Sequence, residues 1–137
     1  MHRIKALFFL LLPVVLLSAC RNDLSDSQWV LTDIVGKTVP LSGKAYMRFH
    51  QNEKTFVDGS GGCNRFSGNF TVVGSALRVG PLISTRMACP DMREERAFFN
   101  ALQSVDAYRL EQGELLLLRD GAPLLRFEAK VPSEGAE

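Results

Sequence analysis

The sequence predicts an α+β fold, a strongly curved antiparallel sheet or incomplete β-barrel of about eight strands with one helix inserted late in the chain. Three observations predict this class. Short runs of alternating apolar and polar residues recur along most of the chain. Turn dipeptides such as Gly74-Ser75, Gln112-Gly113 and Asp120-Gly121 separate these runs. Only residues 90–104 have a convincing helical periodicity.

Residues 1–19 are typical of a lipoprotein signal peptide. Arg3 and Lys5 precede an apolar run, 6–17, that is too short to be a membrane-spanning stop-transfer helix. The run closes with Leu-Ser-Ala-Cys, which is typical of bacterial lipoproteins in which the cysteine, here Cys20, is acylated. An ordinary signal peptide or an uncleaved anchor beside an unrelated cysteine is the alternative. Residues 20–27 are then the lipidated cysteine and a polar tether, and residues 131–137 a flexible tail.

Removal of the signal peptide leaves about 118 residues, enough for one domain over residues 28–130. The formal net charge of the whole chain is +1, and it becomes about −1 once Arg3 and Lys5 are removed. No basic cluster remains, which argues against nucleic acid as a partner. An Asp after the lipidated cysteine favours retention in the inner membrane. Arg21 stands there instead, so we expect an outer-membrane location facing the periplasm.

The strands are predicted from alternation and from the turns that bound them. Their ranges are 28–34, 44–50, 54–58, 65–73, 76–79, 82–87, 105–111, 114–119 and 123–129. In the first strand Trp29, Leu31 and Asp33 would share one side. The run 115–118 is four consecutive leucines, so we expect that strand to be covered on both faces.

The helix is predicted over residues 90–104. Asp91 would be its N-cap with Glu94 completing a capping box, or Pro90 would be its first residue. On a helical wheel one face carries Met92, Phe98, Phe99 and Leu102.

Glu95 falls inside the apolar arc of this helix. A buried carboxylate needs a partner, and Arg86, Arg65 and Asn64 are the candidates. Alternatively, the helix dipole favours a Glu in the first turn that leans out into water.

If Cys20 carries lipid, Cys63 and Cys89 are the remaining cysteines, and an oxidising compartment favours a disulfide between them. It would close a loop of about 27 residues and stabilise the fold by roughly 3.5 kcal/mol. Two free buried thiols, or a metal site that adds His50, are the alternatives. The metal site lacks the usual CxxC or HxxxH spacing.

Catalysis by a cysteine nucleophile would need Cys63 or Cys89 with His50 as base and an acid such as Asp58. We expect His50 to be a surface residue because its strand places it opposite Phe49. GxSxG and HExxH motifs are absent, and the glycine run 59–62 lacks the Lys-Ser/Thr that holds phosphate. The sequence therefore predicts no enzymatic activity, no metal and no cofactor.

Two cysteine-centred motifs carry a family resemblance. Gly-Cys-Asn-Arg-Phe-Ser-Gly spans 62–68 and Thr-Arg-Met-Ala-Cys spans 85–89. A Trp-Val-Leu opening at 29–31 precedes them, and Glu95 and Phe98 follow on the helix. Over roughly residues 27–129 the chain resembles the META domain, the HslJ-like family of small bacterial heat-shock lipoproteins. The resemblance implies a set of signature residues that are candidates for a binding surface: Cys63, Asn64, Arg65, Phe66, Gly68, Thr85, Arg86, Met87, Cys89 and Glu95.

The resemblance also implies a function. Such proteins are exported or lipid-anchored and are linked to heat response and novobiocin resistance, and trypanosomatid relatives to secretion and virulence. No enzymatic activity is established for the family. We therefore expect a non-catalytic, membrane-anchored lipoprotein in heat or envelope stress tolerance, or in resistance to novobiocin-type antibiotics.

The alternatives are binding proteins. The family fold is similar to that of type III secretion pilots, incomplete barrels able to take up lipid. The chain would then bind an apolar ligand or an envelope protein, or inhibit a secreted hydrolase. The phenylalanines of the mature chain would either line a ligand cavity or fill the core.

Overall fold

The structure is a computed structural model that describes residues 23–130. The predicted signal peptide, Cys20 and the tail 131–137 lie outside the described residues. Within the described range, no helix has the length and apolar character needed to cross a membrane.

Strands dominate the described part of the chain, which also holds one α-helix and one short 3-10 helix at Leu24–Asp26. The strands are β1 Gln28–Ile34, β2 Tyr46–Gln51, β3 Thr55–Ser60, β4 Arg65–Val73, β5 Ala76–Val79, β6 Ile83–Ser84, β7 Ala107–Glu111, β8 Glu114–Arg119 and β9 Ala122–Lys130. Helix α1 is Arg93–Leu102.

All nine strands belong to one antiparallel sheet with the order β3-β2-β1-β9-β8-β7-β5-β4-β6. A further pairing of β3 with β4 joins the two sides into a ring, and β6 lies beside β4. Strands β5 and β7 share only one residue pair, Ala76 with Ala107, so the ring is not a regular barrel. The predicted α+β class, a curved sheet with one late helix, is confirmed.

Two tight turns set the register of the last three strands. Gln112 and Gly113 have φ angles of 48° and 82°, and Asp120 and Gly121 have 50° and 79°. Positive φ at both central residues is the geometry that matches the twist of a β-hairpin. Both turns are therefore confirmed where the dipeptides predicted them.

The ring has two distinct ends because successive strands alternate in direction. Gln28 pairs with Lys130, so the described chain enters and leaves at one end, which we call the tether end. The β4–β5 turn also lies there. The loops that follow β1, β3 and β8, together with the segment that carries α1, lie at the opposite end, which we call the helix end.

The interior of the ring is filled by apolar side chains. Phe98 of α1 contacts Phe66 and Phe127, with ring centroids 5.7 and 5.9 Å away, and Phe49 meets Phe70 at 4.9 Å. Rings of about eight strands have an interior just wide enough for side chains to fill. The aromatic residues therefore form the core of the ring.

The leucine run 115–118 is buried on both faces, as predicted. All four side chains are at most 6% exposed, and Leu115 and Leu117 belong to the main core.

Strand β1 departs from its predicted alternation. A bulge opposite β9 between Leu31 and Asp33 shifts the register, so Ile34 is buried and Asp33 is only half-buried. The expectation that Asp33 lies on the same side of the strand as Trp29 and Leu31 was wrong, because a bulge reverses which side later residues face.

Two predicted boundaries were too wide. Strand β6 is only Ile83–Ser84. Before it, Pro81 has no N–H to donate to a neighbouring strand. After it, the Met87 backbone N–H donates to the Asn64 side chain and not to a strand. Helix α1 begins at Arg93, after Met92, whose φ of −108° and ψ of 8° are not helical. The Asp91 carboxylate accepts from the Arg93 N–H, so residues 90–92 lead into the helix.

Residues 23–27 belong to the fold, which differs from the predicted tether. Leu24 is only 3% exposed within the core, and its carbonyl accepts a 2.9 Å hydrogen bond from the Trp29 indole. The polar neighbours of Leu24 hid this buried position in the sequence.

We predict that Leu24→Ala lowers the free energy of unfolding by about 2–4 kcal/mol, because it removes a buried side chain and leaves a cavity. Urea denaturation measures the loss. Val73→Ala is the control, since Val73 is 80% exposed and its truncation should change stability by no more than about 0.5 kcal/mol. Equal free energies of unfolding for Leu24→Ala and the wild type would mean that residues 23–27 are a tether outside the fold.

Candidate functional site

The two signature segments are joined covalently at the helix end. Cys63, in the loop between β3 and β4, forms a disulfide with Cys89, with Cα atoms 6.3 Å apart. The alternatives of free thiols and of cysteine metal ligands are therefore wrong, since both sulfur atoms are bonded to each other. Across residues 23–130, no group of three His, Cys, Asp or Glu side chains is placed to hold a metal ion.

A buried amide–carboxylate pair lies next to the disulfide. The Asn64 backbone N–H donates to Glu95 Oε1 at 2.6 Å, and Asn64 Nδ2 donates to Glu95 Oε2 at 2.7 Å. The two residues are 3% and 4% exposed. Glu95 is thus buried in the first turn of α1, and its predicted partner Asn64 is confirmed. The two arginine candidates and the water-facing alternative were wrong.

The other polar atoms of Asn64 hold the second segment. Its Oδ1 accepts from the Met87 backbone N–H at 2.6 Å and from the Thr85 hydroxyl at 3.0 Å. Its Nδ2 also donates to the Met87 carbonyl at 3.3 Å, and its own carbonyl accepts from the Gly61 N–H at 2.8 Å. Every hydrogen-bonding group of Asn64 therefore has a partner within the domain.

Thr85 extends this network into the sheet. Its backbone N–H donates to the Arg65 carbonyl at 3.0 Å, and its hydroxyl accepts from the Arg65 N–H at 3.1 Å. The hydroxyl thus bridges the backbone of β4 and the Asn64 side chain. Thr85 positions the chain where it leaves β6.

Two glycines allow close approaches at the site. A Cβ at Gly61 would lie 2.5 Å from Glu95 Cγ and 2.8 Å from Phe99 Cε1. A Cβ at Gly68 would lie 2.9 Å from Leu82 Cδ2. All three distances are shorter than real Cβ contacts, so a larger residue at Gly61 would displace Glu95 and Phe99 of the helix, and one at Gly68 would displace the Leu82 side chain.

The signature residues divide into an internal and an exposed group. Phe66 is buried against Phe98 and Phe99. The internal group is Asn64, Phe66, Gly68, Glu95 and the disulfide. The exposed group is Arg65, Thr85, Arg86 and Met87. The internal group builds the helix end, where the half-buried disulfide also lines a groove, and the exposed group presents its side chains to solvent. A binding role for either group stays a prediction.

Sequence reasoning missed a second carboxylate contact. The Ser42 backbone N–H donates to Glu94 Oε2 at 3.1 Å, which ties the β1–β2 loop to α1. Glu94 Oε1 is buried without a hydrogen-bond partner among the described residues. A groove of about 380 Å³ runs between this contact and the disulfide. No motif in the sequence marks Ser42, because its backbone makes the contact.

His50 belongs to a polar cluster on the outer side of β2 and β3. Its Nε2 lies 2.9 Å from Asp58 Oδ1, and Arg48 donates to both Asp58 oxygens at 3.2 and 2.9 Å. The imidazole stacks on Phe56 with ring centroids 4.3 Å apart. His50 is therefore a half-buried partner of Asp58. The disulfide leaves no thiolate for which it could act as a base.

The Arg48–Asp58–His50 contacts shift the pKa values of Asp58 and Arg48. Burial alone raises the pKa of Asp58, but hydrogen bonds from His50 and Arg48 outweigh that effect and hold this pKa below its ordinary 3.8. The hydrogen bonds that Arg48 donates to Asp58 also raise the pKa of the Arg48 guanidinium. The carboxylate is thus ionised at neutral pH and its charge is already matched.

We predict that Glu95→Gln lowers the free energy of unfolding by about 2–3 kcal/mol. A Gln amide has one oxygen, so whichever way it turns, its NH₂ group faces either the backbone N–H or the Nδ2 group of Asn64. Two donors then oppose each other in a buried site. Chemical denaturation measures the loss.

The control is Glu94→Gln on the neighbouring helix position. Its remaining oxygen can keep the bond from the Ser42 N–H, so we expect a change of no more than about 0.5 kcal/mol. Similar losses of stability for both variants would mean that removal of a negative charge destabilises the protein, and that the hydrogen-bond geometry at Asn64 is not the cause.

We predict a pH-dependent cost for Asp58→Asn. A depressed pKa in the folded state contributes stability above the unfolded pKa and loses it as pH falls through the folded value. The wild type should therefore be more stable than the variant by about 1 kcal/mol at pH values well above the ordinary Asp pKa of 3.8, and this difference should shrink as the pH falls below that value. Unfolding measured at several pH values tests this, and a difference that persists at low pH would contradict it.

Comparison with known proteins agrees with this architecture. A family model described as the META domain matches residues 22–131. A search of curated proteins found no match.

Three solved structures have a similar fold. An NMR structure of a protein from Burkholderia xenovorans is 25% identical with a TM-score of 0.61, covering 78% of this chain and 83% of that one. A second protein solved by NMR is also 25% identical with a TM-score of 0.59, covering 77% and 91%. The crystal structure of a DUF4847 family protein from Bacteroides vulgatus is 14% identical with a TM-score of 0.55, covering 79% and 95%, and supports the fold alone.

The family match spans the whole ring, both cysteine-centred motifs and the helix that bears Glu95. The chain is therefore a member of the META domain family.

Proposed function

We propose that the chain is a non-catalytic, membrane-anchored META-domain lipoprotein of the bacterial envelope. Its role would be in heat or envelope stress tolerance, or in resistance to novobiocin-type antibiotics. Acylated Cys20 would hold it at the outer membrane, facing the periplasm. Its partner would be an envelope protein or an apolar ligand, and it would need no cofactor and no metal.

One observation carries this proposal: the amide, carboxylate and sulfur groups of the two motifs bond within the domain. The polar atoms of Asn64 and Glu95 bond to each other and to the backbone, and the sulfur atoms of Cys63 and Cys89 bond to each other. Acid–base and nucleophilic catalysis need such groups to face a substrate. This arrangement supports a role in binding or scaffolding.

The disulfide and the chain path support an envelope location. Disulfides persist in oxidising compartments such as the periplasm. The described chain starts at Asp23, at the tether end, and the signature segments lie at the helix end. An anchor at Cys20 would therefore turn the signature residues away from the membrane and towards soluble or envelope-bound partners.

A groove at the helix end favours an apolar ligand as a second candidate. It has a volume of about 400 Å³ and runs between α1 and the ends of β1 and β9. Apolar side chains, among them Ile34, Ala97 and Leu124, line it, with Lys37 and Arg119 beside them. Because the ring interior is filled, an apolar ligand with a negative group would bind here, outside the ring.

We predict that Cys20→Ser abolishes labelling with palmitate and releases the protein from the membrane fraction. In a strain that lacks the gene, the wild-type chain should restore survival of heat shock or novobiocin, and Cys20→Ser should not. Labelling, fractionation and survival counts measure these results. A Cys20→Ser chain that still labels with palmitate would remove the lipoprotein proposal.

His50→Ala is the control for the absence of catalysis. Among the described residues, the His50 side chain bonds to Asp58 and stacks on Phe56, so this variant should complement as well as the wild type. Loss of complementation by a folded, membrane-bound His50→Ala chain would contradict a non-catalytic role.

A further inference from the structure

One edge of the sheet stays open beside β6. On one side β4 pairs with β3, and on the other it pairs first with β6 and then with β5. Strand β7 meets β5 only at Ala76, so within residues 23–130 no strand covers the outer edge of β6. The Thr85 and Met87 N–H groups point inward to Arg65 and Asn64. In an extended chain the backbone N–H and C=O groups of successive residues point to opposite sides. Those of Ser84 and Arg86 therefore point outward.

The same segment exposes two large apolar side chains. Ile83 is 76% exposed and Met87 is 60% exposed, and exposed apolar side chains of this size are few in the described part of the chain. A groove of about 430 Å³ opens beside Ile83, between Arg65 and Ser84. Exposed apolar side chains next to a groove are typical of an interaction surface.

The charge of this surface is positive. Among the described residues, neither Arg65 nor Arg86 forms an ion pair with a carboxylate, and both are exposed. The acidic group in the groove is Asp58, which is already bonded to Arg48 and His50. Two unmatched guanidinium groups beside apolar side chains complement a partner that carries carboxylates.

A lipid surface does not fit this position. Residues 83–87 lie at the helix end, whereas Asp23 is at the tether end. The three peptide steps from Cys20 to Asp23 span about 11 Å when fully extended. That is less than the length of the ring, because a nine-residue strand such as β4 is about 30 Å long. A second copy does not fit either, because two surfaces with unmatched arginines would repel each other.

We propose that residues 83–87 together with Arg65 form a docking strip for an extended segment of a partner protein. The segment carries alternating acidic and apolar side chains and adds a strand to the open edge of β6. Backbone groups of Ser84 and Arg86 supply hydrogen bonds, Ile83 and Met87 supply apolar contact, and the two arginines select carboxylates. The proposal deepens the proposed function by naming the surface and the partner, and it rests on that function for the position of the anchor.

The strip is short, and this limits its affinity. Pro81 and the two-residue length of β6 keep the edge from pairing with long strands of other chains. Specificity must therefore come from Ile83, Met87 and the two arginines, in addition to the backbone.

The test uses defined peptides and the full chain in detergent micelles. A fluorescent peptide of alternating Glu and Val is titrated, and its anisotropy reports binding. We expect the matched Lys–Val peptide to bind at least about tenfold more weakly, because it presents like charges to Arg65 and Arg86. A Glu–Val peptide that is N-methylated on alternate backbone amides should also bind at least about tenfold more weakly, because it lacks donors for the open edge.

Matched variants locate the binding surface. Arg86→Gln should weaken binding of the Glu–Val peptide about fivefold, and Ile83→Ser should weaken it to a similar degree. The controls are Arg78→Gln on β5 and Val73→Ser at the tether end, where Val73 is 80% exposed. These controls should bind as the wild type does. All four positions are exposed, and the thermal midpoint of each variant checks that it folds.

Several results would overturn the docking strip. Equal binding of the Lys–Val and Glu–Val peptides, no binding of either, or equal losses in Val73→Ser and Ile83→Ser would each do so. Self-association that Ile83→Ser abolishes would assign the strip to a second copy. Binding to anionic vesicles that depends on Ile83 would assign it to lipid.

Different results would contradict the docking strip and the proposed function. Palmitate labelling of Cys20→Ser removes the lipoprotein proposal and leaves peptide binding as a measured property of the helix end. Absence of peptide binding by a palmitoylated wild-type chain removes the docking strip alone.

Discussion

The hydrogen bonds between Asn64 and Glu95 fix the relation between the sheet and the helix. A carboxylate in the interior is costly unless donors satisfy it, and Asn64 supplies two of them from one residue. Glu95 also lies in the first turn of α1, where the helix dipole favours negative charge. Because the Asn64 side chain holds Met87 and Thr85 as well, one residue sets the positions of the loop, the helix and the segment between them.

The disulfide and this hydrogen-bonded network act on the same two segments in different ways. The Cys63–Cys89 bond restrains the unfolded chain and brings the segments near each other without fixing their angles. The network fixes those angles, because each donor and acceptor needs its own distance and direction. Gly61 is part of the same requirement, since only a residue without a Cβ leaves room for the Glu95 side chain. The disulfide and the internal hydrogen bonds of the two motifs therefore determine the structure of the helix end.

The sequence predicted what local chemistry determines. The turns at Gln112-Gly113 and Asp120-Gly121 need positive φ, and the leucines of β8 have no polar face, so both features were visible in single stretches. The bulge after Leu31 was hidden because it depends on the register with β9. Leu24 was hidden because its polar neighbours masked a contact with Trp29.

The candidate site was predictable as a set of residues but not as an arrangement. The motifs named Asn64 and Glu95, yet charge alone made Arg65 and Arg86 equally good partners for the carboxylate. The structure favours the amide because its N–H and NH₂ groups match both carboxylate oxygens at once. Because Asn64 is the partner of Glu95, Arg65 and Arg86 remain exposed at the surface. No pattern in the linear sequence predicts this.

The pairing of Gln28 with Lys130 has a consequence for how such a domain can be used in larger proteins. Entry and exit points that are neighbours in one sheet let a domain be inserted into a loop of a host protein with little strain on either. The opposite face would project from the host undisturbed. Duplication of the domain, its fusion to other domains and its insertion into a host loop are thus compatible with this architecture.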